Sequence, residues 1–306
     1  MTVQVDWTLD ALVGAFEEHL RRTCGASDCT IPGYCRYVRQ FLRAVFPDDR
    51  IVLTRLRPPD VIEFISVATT HYRSRTVKLV ATALRSFFRF LRLQGICQAR
   101  LDEAVPTAAS WRLSTLPRYL SEDQLQALLA SLDGSTPRAR RDRAMVLCLS
   151  ALGLRASEVA KLRLEDIDWR AGTVHIRTRK TRRSAVLPLP REVGGAIAAY
   201  LRAGRPSKQE RHVFVLHGRA VGSPIRSHVV GHAVRRALLR AGIAAPSCGA
   251  HLLRHTLATR MVRRGATLKD IADVLGHRSL DTTAIYAKVD ISSLGQVALP
   301  WPEVAS

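Results

Sequence analysis

The sequence predicts an α+β chain in two domains: a helical N-terminal domain, then a mainly helical C-terminal domain with a small three-stranded antiparallel sheet. Three observations lead there. Apolar residues recur at helical spacing through the first hundred positions. That periodicity fades between Ala104 and Pro117, where small residues, Pro106 and Trp111 read as a linker. Three short β-type segments then interrupt the helices of the second half. At 306 residues, 47% hydrophobic and 24% charged, the chain has room for about two domains and is too apolar to be disordered. No apolar stretch reaches the roughly 18 residues of a membrane span. The longest candidate, Ala144 to Leu154, is too short and contains Ser150. Asp6, Asp10, Glu17 and Glu18 stand where a signal peptide would be basic and then apolar, so a cytoplasmic location is expected.

Residues 1–105 form the expected N-terminal domain, 106–118 the linker and 119–306 the second domain. A first helix from Thr8 to Thr23 aligns Leu9, Leu12, Val13, Phe16 and Leu20, and a second from Ile31 to Phe46 aligns Tyr34, Val38, Phe41, Leu42 and Val45. Pro58 and Pro59 open a short helix through Ile65. Ser74 to Leu93 has the clearest stripe: Val77, Val80, Leu84, Phe87, Phe88 and Leu91. Lys78, Arg85, Arg89 and Arg92 fall on another side, as a solvated face or as a row facing DNA. Ser121 with Gln124 is a capping box that starts the second domain. Helices follow at about 121–132, 137–152 and 156–163, then strands at Asp166–Trp169, Thr173–Arg177 and Ala185–Leu189. Further helices are expected at about 191–203, 226–241, 248–264, 267–275 and 279–287.

The net charge is +21. It is uneven: residues 1–105 hold 15 Lys and Arg against 11 Asp and Glu, whereas 106–306 hold 32 against 15. A polyanion is the natural partner, with most phosphate contact in the second domain. Nearly all the cations are Arg, and only six are Lys. If DNA is the partner, six to ten phosphate contacts imply about 10³–10⁵-fold weaker binding between 50 and 200 mM salt. The six cysteines include Cys24, Cys29 and Cys35, which lack the close-pair spacing of a zinc site, and are expected to be free thiols.

Single residues gain meaning only together. Arg155 stands where one helix ends and the next begins; Glu158, three residues on, either orients it or is a surface residue. His251 and Arg254 share a helix face. With His255 the segment mimics a His-x-x-x-His zinc motif, but Leu252 stands where a zincin needs Glu, so no metal is expected. His277 follows the helix-stop signal Leu275-Gly276, and Tyr286 comes nine residues later among apolar neighbours. Lys180 is the only Lys in the basic run Arg177 to Arg183, between two strands. Arg does not give up a proton near neutral pH and a desolvated Lys does, so a general acid at that tip would have to be Lys180.

The segment Ala151-Leu-Gly-Leu-Arg155-Ala-Ser-Glu158, the helix His251-Leu-Leu-Arg254-His255-Thr, Leu275-Gly276-His277 and Tyr286 together closely resemble the tyrosine recombinase (phage integrase) family. The likeness covers about 119–290, and the N-terminal helices fit the family's core-binding domain more loosely. Lys180 resembles the family's β-hairpin lysine, although that hairpin usually reads Gly-Lys-Gly and here reads Arg179-Lys180-Thr181. The resemblance implies strand cleavage by Tyr286, a 3′-phosphotyrosine link and a free 5′-hydroxyl, with no cofactor. Arg155 and Arg254 would clamp the phosphate, whose transition state gathers negative charge. His251 would serve as base or hydrogen-bond partner for Tyr286, Lys180 would protonate the leaving oxygen, and His277 would donate to a phosphate oxygen. Arg179, Arg182 and Arg183 join the α-helical row as expected DNA contacts. The family works as a tetramer on two duplexes, so inverted-repeat double-stranded DNA and a homo- or hetero-tetramer are the expected partners, accessory proteins being undetermined. The tail Ile291 to Ser306, with Trp301 between Pro300 and Pro302, could dock on a neighbouring protomer. Integration or transposition of a mobile element is the favoured setting. A type IB topoisomerase and a non-catalytic DNA-binding member are the alternatives.

Overall fold

The computed structural model describes residues 7–48, 51–97, 99–107, 117–177, 184–206, 209–218, 220–245, 247, 249–277, 279 and 282–289. Clustering of contacts divides it into two compact units, Met1–Arg112 and Leu113–Ser306.

The first unit packs α1 (Leu9–Arg22), α2 (Ile31–Val45), α3 (Pro58–His71), α4 (Ser74–Leu93) and the short α5 (Leu101–Ala104). Thr8 caps α1 through its hydroxyl, 3.3 Å from the amide of Ala11. Phe16 and Phe41 meet Phe87 and Phe88 of α4 edge-on, with centroids 5.3 and 5.5 Å apart. This is the favoured geometry for aromatic quadrupoles. α3 runs six residues beyond the expected end at Ile65, because Ala68 extends the buried row of Val61 and Ile65 by a further turn. α5, with four residues, carries no periodic signal and was not expected.

The basic row on α4 is not an open face. Asp102 of α5, with 8% of its side chain exposed, pairs with Arg92 at 3.1 Å and Arg89 at 3.4 Å. Arg85 donates to the carbonyls of Val105 and Pro106 and to the Thr107 hydroxyl, at 2.8–3.0 Å. Three of the four basic residues in the α4 row therefore tie the unit's last turn to α4. Arg89 still exposes 63% of its side chain, and Lys78 is half-buried.

The second unit holds α6 (Glu122–Ala130), α7 (Pro137–Ala151), α8 (Ala156–Lys161), α9 (Arg191–Ala203), α10 (Ser227–Arg240), α11 (Ala250–Arg263) and α12 (Leu268–Leu275). The Ser121–Gln124 capping box is formed in both directions. α7 is the central helix. Met145 to Leu149 are all at most 1% exposed, and α9, α10 and α11 pack around it. Burial on every side explains why this stretch is the most continuously apolar in the chain. It also carries a buried charge cluster: Arg141 and Asp142 are each 3% exposed, 2.8 Å apart, and Arg236 closes on Asp142 at 2.6 Å.

Strands β1 (Ile167–Asp168), β2 (Thr173–Ile176) and β3 (Ala185–Pro188) form an antiparallel sheet in the order β1-β2-β3. Val174 pairs with Leu187 and turns it inward, leaving His175 and Val186 outward. The expected helix at 279–287 is instead a 3-10 helix, Ala284–Val289. Thr282 bonds back to Ser279 and Tyr286 to Thr283, both i to i−3, so the chain closes in the tighter winding. No helix among the described residues is long and apolar enough to cross a membrane.

Candidate active site

The site grows from the C-terminal end of α12. Gly276 adopts φ +62°, a left-handed cap, and the His277 amide closes the helix on the Ala272 carbonyl at 2.9 Å. That turn presents two consecutive carbonyls, Leu275 and Gly276, to two guanidinium groups from distant parts of the sequence. Arg254, 5% exposed on α11, donates to the carbonyls of Leu275 and Gly153. Arg155, at the N-cap of α8, donates to the Gly276 carbonyl at 3.1 Å.

Glu158 orients Arg155 from the first turn of the same helix. One carboxylate oxygen takes the Arg155 amide at 2.9 Å and the other its guanidinium at 2.7 Å. Glu158 is 4% exposed, which settles its role as a positioning residue. Gly153 is favoured by conformation, and a side chain there would also press on two leucine tips. At φ +63°, a Cβ there would lie 2.7 Å from Leu275 Cδ2 and 2.9 Å from Leu257 Cδ2.

His277 and Tyr286 complete the cluster. His277 Nδ1 is 2.7 Å from the hydroxyl of the fully buried Thr283. Burial, followed by the positive charges of Arg254 and Arg155 and the nearby His255, pushes His277 down to about 4. It is therefore neutral at pH 7. Tyr286 is 1% exposed and packs with Ala258, Val262, Ile271 and Leu275. Burial pushes its phenol up to about 12, and the Arg254 charge pulls the other way. Its hydroxyl lies 2.7 Å from Nδ1 of His255.

The Tyr286 hydroxyl meets His255, one turn along α11 from the expected His251. His251 is exposed one helical turn away, with its ring centroid 6.5 Å from that of His255. The rise of a full turn, about 5.4 Å, accounts for the offset. Sequence reasoning met His255 only as half of a rejected zinc motif. Among the described residues no group of three or more His, Cys, Asp or Glu could hold a metal. Thr283 and Gly153 were also missed. A glycine between Leu152 and Leu154, just before Arg155, was the signal available for the latter. Lys180, Arg179, Arg182 and Arg183 lie outside the described residues, as does the tail with Trp301.

A two-unit chain that gathers Arg155, Arg254, His277 and Tyr286 at one turn has the make-up of a tyrosine recombinase. Comparisons with known proteins agree. The Phage integrase family matches residues 118–292, and the Phage integrase, N-terminal SAM-like domain matches 13–95. The putative integrase/recombinase y4rA of Sinorhizobium fredii is 46% identical over 98% of this chain and 74% of its own length. Tyrosine recombinase XerA of Thermococcus kodakarensis is 30% identical over 88% of each. Among solved structures, XerH bound to a palindromic difH substrate, a post-cleavage complex, shares the fold with a TM-score of 0.78 at 20% identity, covering 99% of both chains. A lambda integrase dimer bound to a COC′ core site aligns with a TM-score of 0.71 at 17% identity, over 98% of this chain and 81% of the other. The chain belongs to the phage integrase family, and its activity is that of a tyrosine-type site-specific DNA recombinase.

Proposed function

We propose that Tyr286 attacks a DNA phosphodiester to give a 3′-phosphotyrosine link and a free 5′-hydroxyl, and that religation exchanges strands between two sites. The observation that carries this reading is that Arg254 and Arg155 are anchored on two consecutive carbonyls after α12, and that Arg254 acts on the Tyr286 phenol. Carbonyl anchors fix the direction of a guanidinium without cancelling its charge. Burial first, and then the charges of Arg254 and Arg155, lower the pKa of His277. A pentavalent phosphate needs such fixed cations.

His277 is neutral and shares Nδ1 with Thr283. When the threonine hydroxyl donates to that nitrogen, Nε2 keeps its proton and can donate to a phosphate oxygen. His251, exposed on α11, serves as base or hydrogen-bond partner for the attacking Tyr286. Lys180 supplies the proton to the leaving 5′-oxygen. The covalent link conserves the ester's energy, so joining needs no nucleotide cofactor.

The DNA is double-stranded with inverted-repeat arms, bound by a tetramer of recombinases. Related complexes support this choice: XerH is described on a palindromic difH substrate, a lambda integrase tetramer on a Holliday junction, and a Tn1549 transposon integrase with circular intermediate DNA. Phosphate contacts come from Lys78, the exposed Arg89 and the basic run Arg179, Arg182 and Arg183, with Arg85 and Arg92 completing the α4 row. The biological setting is movement of a mobile element.

A plasmid carrying two copies of the inverted-repeat site tests the reading. The wild-type protein should delete or invert the intervening segment. Relaxation of supercoils with no joining between sites would instead identify a type IB-like topoisomerase. Binding without cleavage would identify a non-catalytic member.

A further inference from the structure

Between α12 and the terminal 3-10 helix, one side chain is bonded to the supports of two site residues. Thr283 is fully buried. Its hydroxyl lies 2.7 Å from Nδ1 of His277, six residues back, and its carbonyl accepts the Tyr286 amide at 2.9 Å. We infer that Thr283 is a positioning residue for strand cleavage: its hydroxyl donates to Nδ1 and holds His277 in the tautomer with its proton on Nε2, while its carbonyl seats the turn that bears Tyr286. The inference rests on the roles proposed above for His277 and Tyr286.

Burial decides the direction of the hydrogen bond. Either the hydroxyl donates to a bare Nδ1, or a protonated Nδ1 donates to the hydroxyl oxygen. Among the described residues Nδ1 is the one hydrogen-bond partner of that hydroxyl. In the second arrangement the hydroxyl proton would be buried with no acceptor, and nothing would replace the water it lost. In the first, the hydroxyl donates and Nδ1 accepts, so a neutral imidazole must carry its proton on Nε2. The ring is neutral because burial first, and then the charges of Arg254 and Arg155 with the nearby His255, keep a second proton off it. Which nitrogen of a histidine carries the proton is set by the bond that the other one makes. Without the Thr283 hydroxyl, nothing among the described residues keeps Nδ1 bare.

The backbone of His277 is already fixed, because its amide closes α12 on the Ala272 carbonyl at 2.9 Å. The rotation of the ring and the seat of its proton remain, and Thr283 settles both. A bare Nε2 would turn a lone pair, where a donor is needed, toward an oxygen that gathers negative charge as the tyrosine attacks. The carbonyl contact keeps this setting close to the nucleophile. One turn of 3-10 winding separates the residue that orients His277 from the residue that attacks. Being buried, Thr283 acts through His277 and not on the phosphate itself.

Nitrogen NMR of histidine-labelled wild-type protein reads the tautomer without any variant. At pH 7 His277 should carry its proton on Nε2 with Nδ1 bare, and a proton on Nδ1 would overturn the inference. Thr283→Val keeps the shape and removes the hydroxyl, whereas Thr283→Ser keeps the hydroxyl. In single-turnover cleavage of a nicked substrate, Thr283→Val should be slower by about 10–100-fold, the usual cost of removing a group that orients a functional histidine. Its DNA affinity in a gel shift should be unchanged, and its His277 should shift toward the form protonated on Nδ1. Thr283→Ser should recover most of the rate and the wild-type tautomer. A valine variant with the wild-type rate, or a folded serine variant as slow as valine, would overturn the inference. Adding Thr283→Val to His277→Ala should cost little further; the same loss in both backgrounds would place the action of the hydroxyl elsewhere and overturn it too. His277→Ala alone separates the two claims. A wild-type rate in that variant refutes the role of His277 and this inference with it, whereas a slow His277→Ala beside a wild-type ring protonated on Nδ1 refutes only Thr283.

Discussion

Arg89 and Arg92 of α4 and the arginine pair of the second unit are held in different ways. Arg89 and Arg92 meet the Asp102 carboxylate at 3.4 and 3.1 Å, and these pairs fasten α5 to α4. Arg254 is held by the Leu275 and Gly153 carbonyls, and Arg155 by Gly276 with one carboxylate, Glu158, behind it. A neutral carbonyl aims a guanidinium and leaves its charge to act on what lies in front; after burial, the charges of Arg254 and Arg155 lower the pKa of His277. The lesson is that a basic residue's partner, more than its exposure, separates a fastening from a site. The buried Arg141–Asp142–Arg236 cluster is the extreme of the first kind.

Changes to each class of partner can break this distinction. Asp142→Ala strands a buried Arg141 and should cost about 3–5 kcal/mol in denaturant unfolding. A loss below 1 kcal/mol would show that the cluster is not a fastening. Arg254→Ala should slow single-turnover cleavage by about 10²–10³-fold while a gel shift still shows DNA binding. A loss of binding with no change in the cleavage step would place Arg254 with the fasteners. Gly153→Ala forces a side chain into left-handed backbone against Leu275 and Leu257. It should destabilise the unit by about 1–3 kcal/mol, and, because it displaces an Arg254 anchor, it should slow cleavage too. Asp102→Asn should have the smallest effect, about 1 kcal/mol or less in denaturant unfolding, because Arg89 is mostly solvated and Arg92 partly so. It should also steepen the salt dependence of DNA binding if the released arginines reach phosphate.

The pH dependence of stability sharpens the same contrast. His277 titrates near 4 in the folded protein and near 6.5 when unfolded. Between those values the unfolded chain binds more protons, so stability should fall as pH drops below about 6.5, with the loss complete near 4. Melting curves of wild type and His277→Gln between pH 4 and 7 should diverge in that window, with the variant less sensitive.

Much of the fold was legible where one residue pattern determines the local answer. The α4 stripe, the Ser121 capping box and the alternation of Val174 and Ile176 with His175 each name an element without help from distant residues. Arg155, Arg254, His277 and Tyr286 were singled out by their resemblance to the family's motifs, and the structure gathers them. What stayed hidden depends on partners far away in sequence. Asp102 occupies a four-residue helix with no period, so its hold on Arg89 and Arg92 could not be seen. Glu158 could be placed beside Arg155, but only burial shows that it faces inward. His255 was visible only as a failed metal motif, because nothing in the sequence says which of two histidines one turn apart will face a ring 31 positions later. The last helix was expected in α form because its apolar residues fit that period, whereas the Ser279 and Thr283 carbonyls take bonds of the shorter kind.

The central claim is that the phenol at position 286 exchanges places with a deoxyribose oxygen. The direct measurement is to trap the protein on a nicked substrate, digest it with protease and locate the attached nucleotide by mass spectrometry. The expected result is a 3′-phosphate joined to the peptide bearing Tyr286, and no adduct from Tyr286→Phe. A nucleotide attached to any other residue, or an adduct that survives Tyr286→Phe, would contradict it.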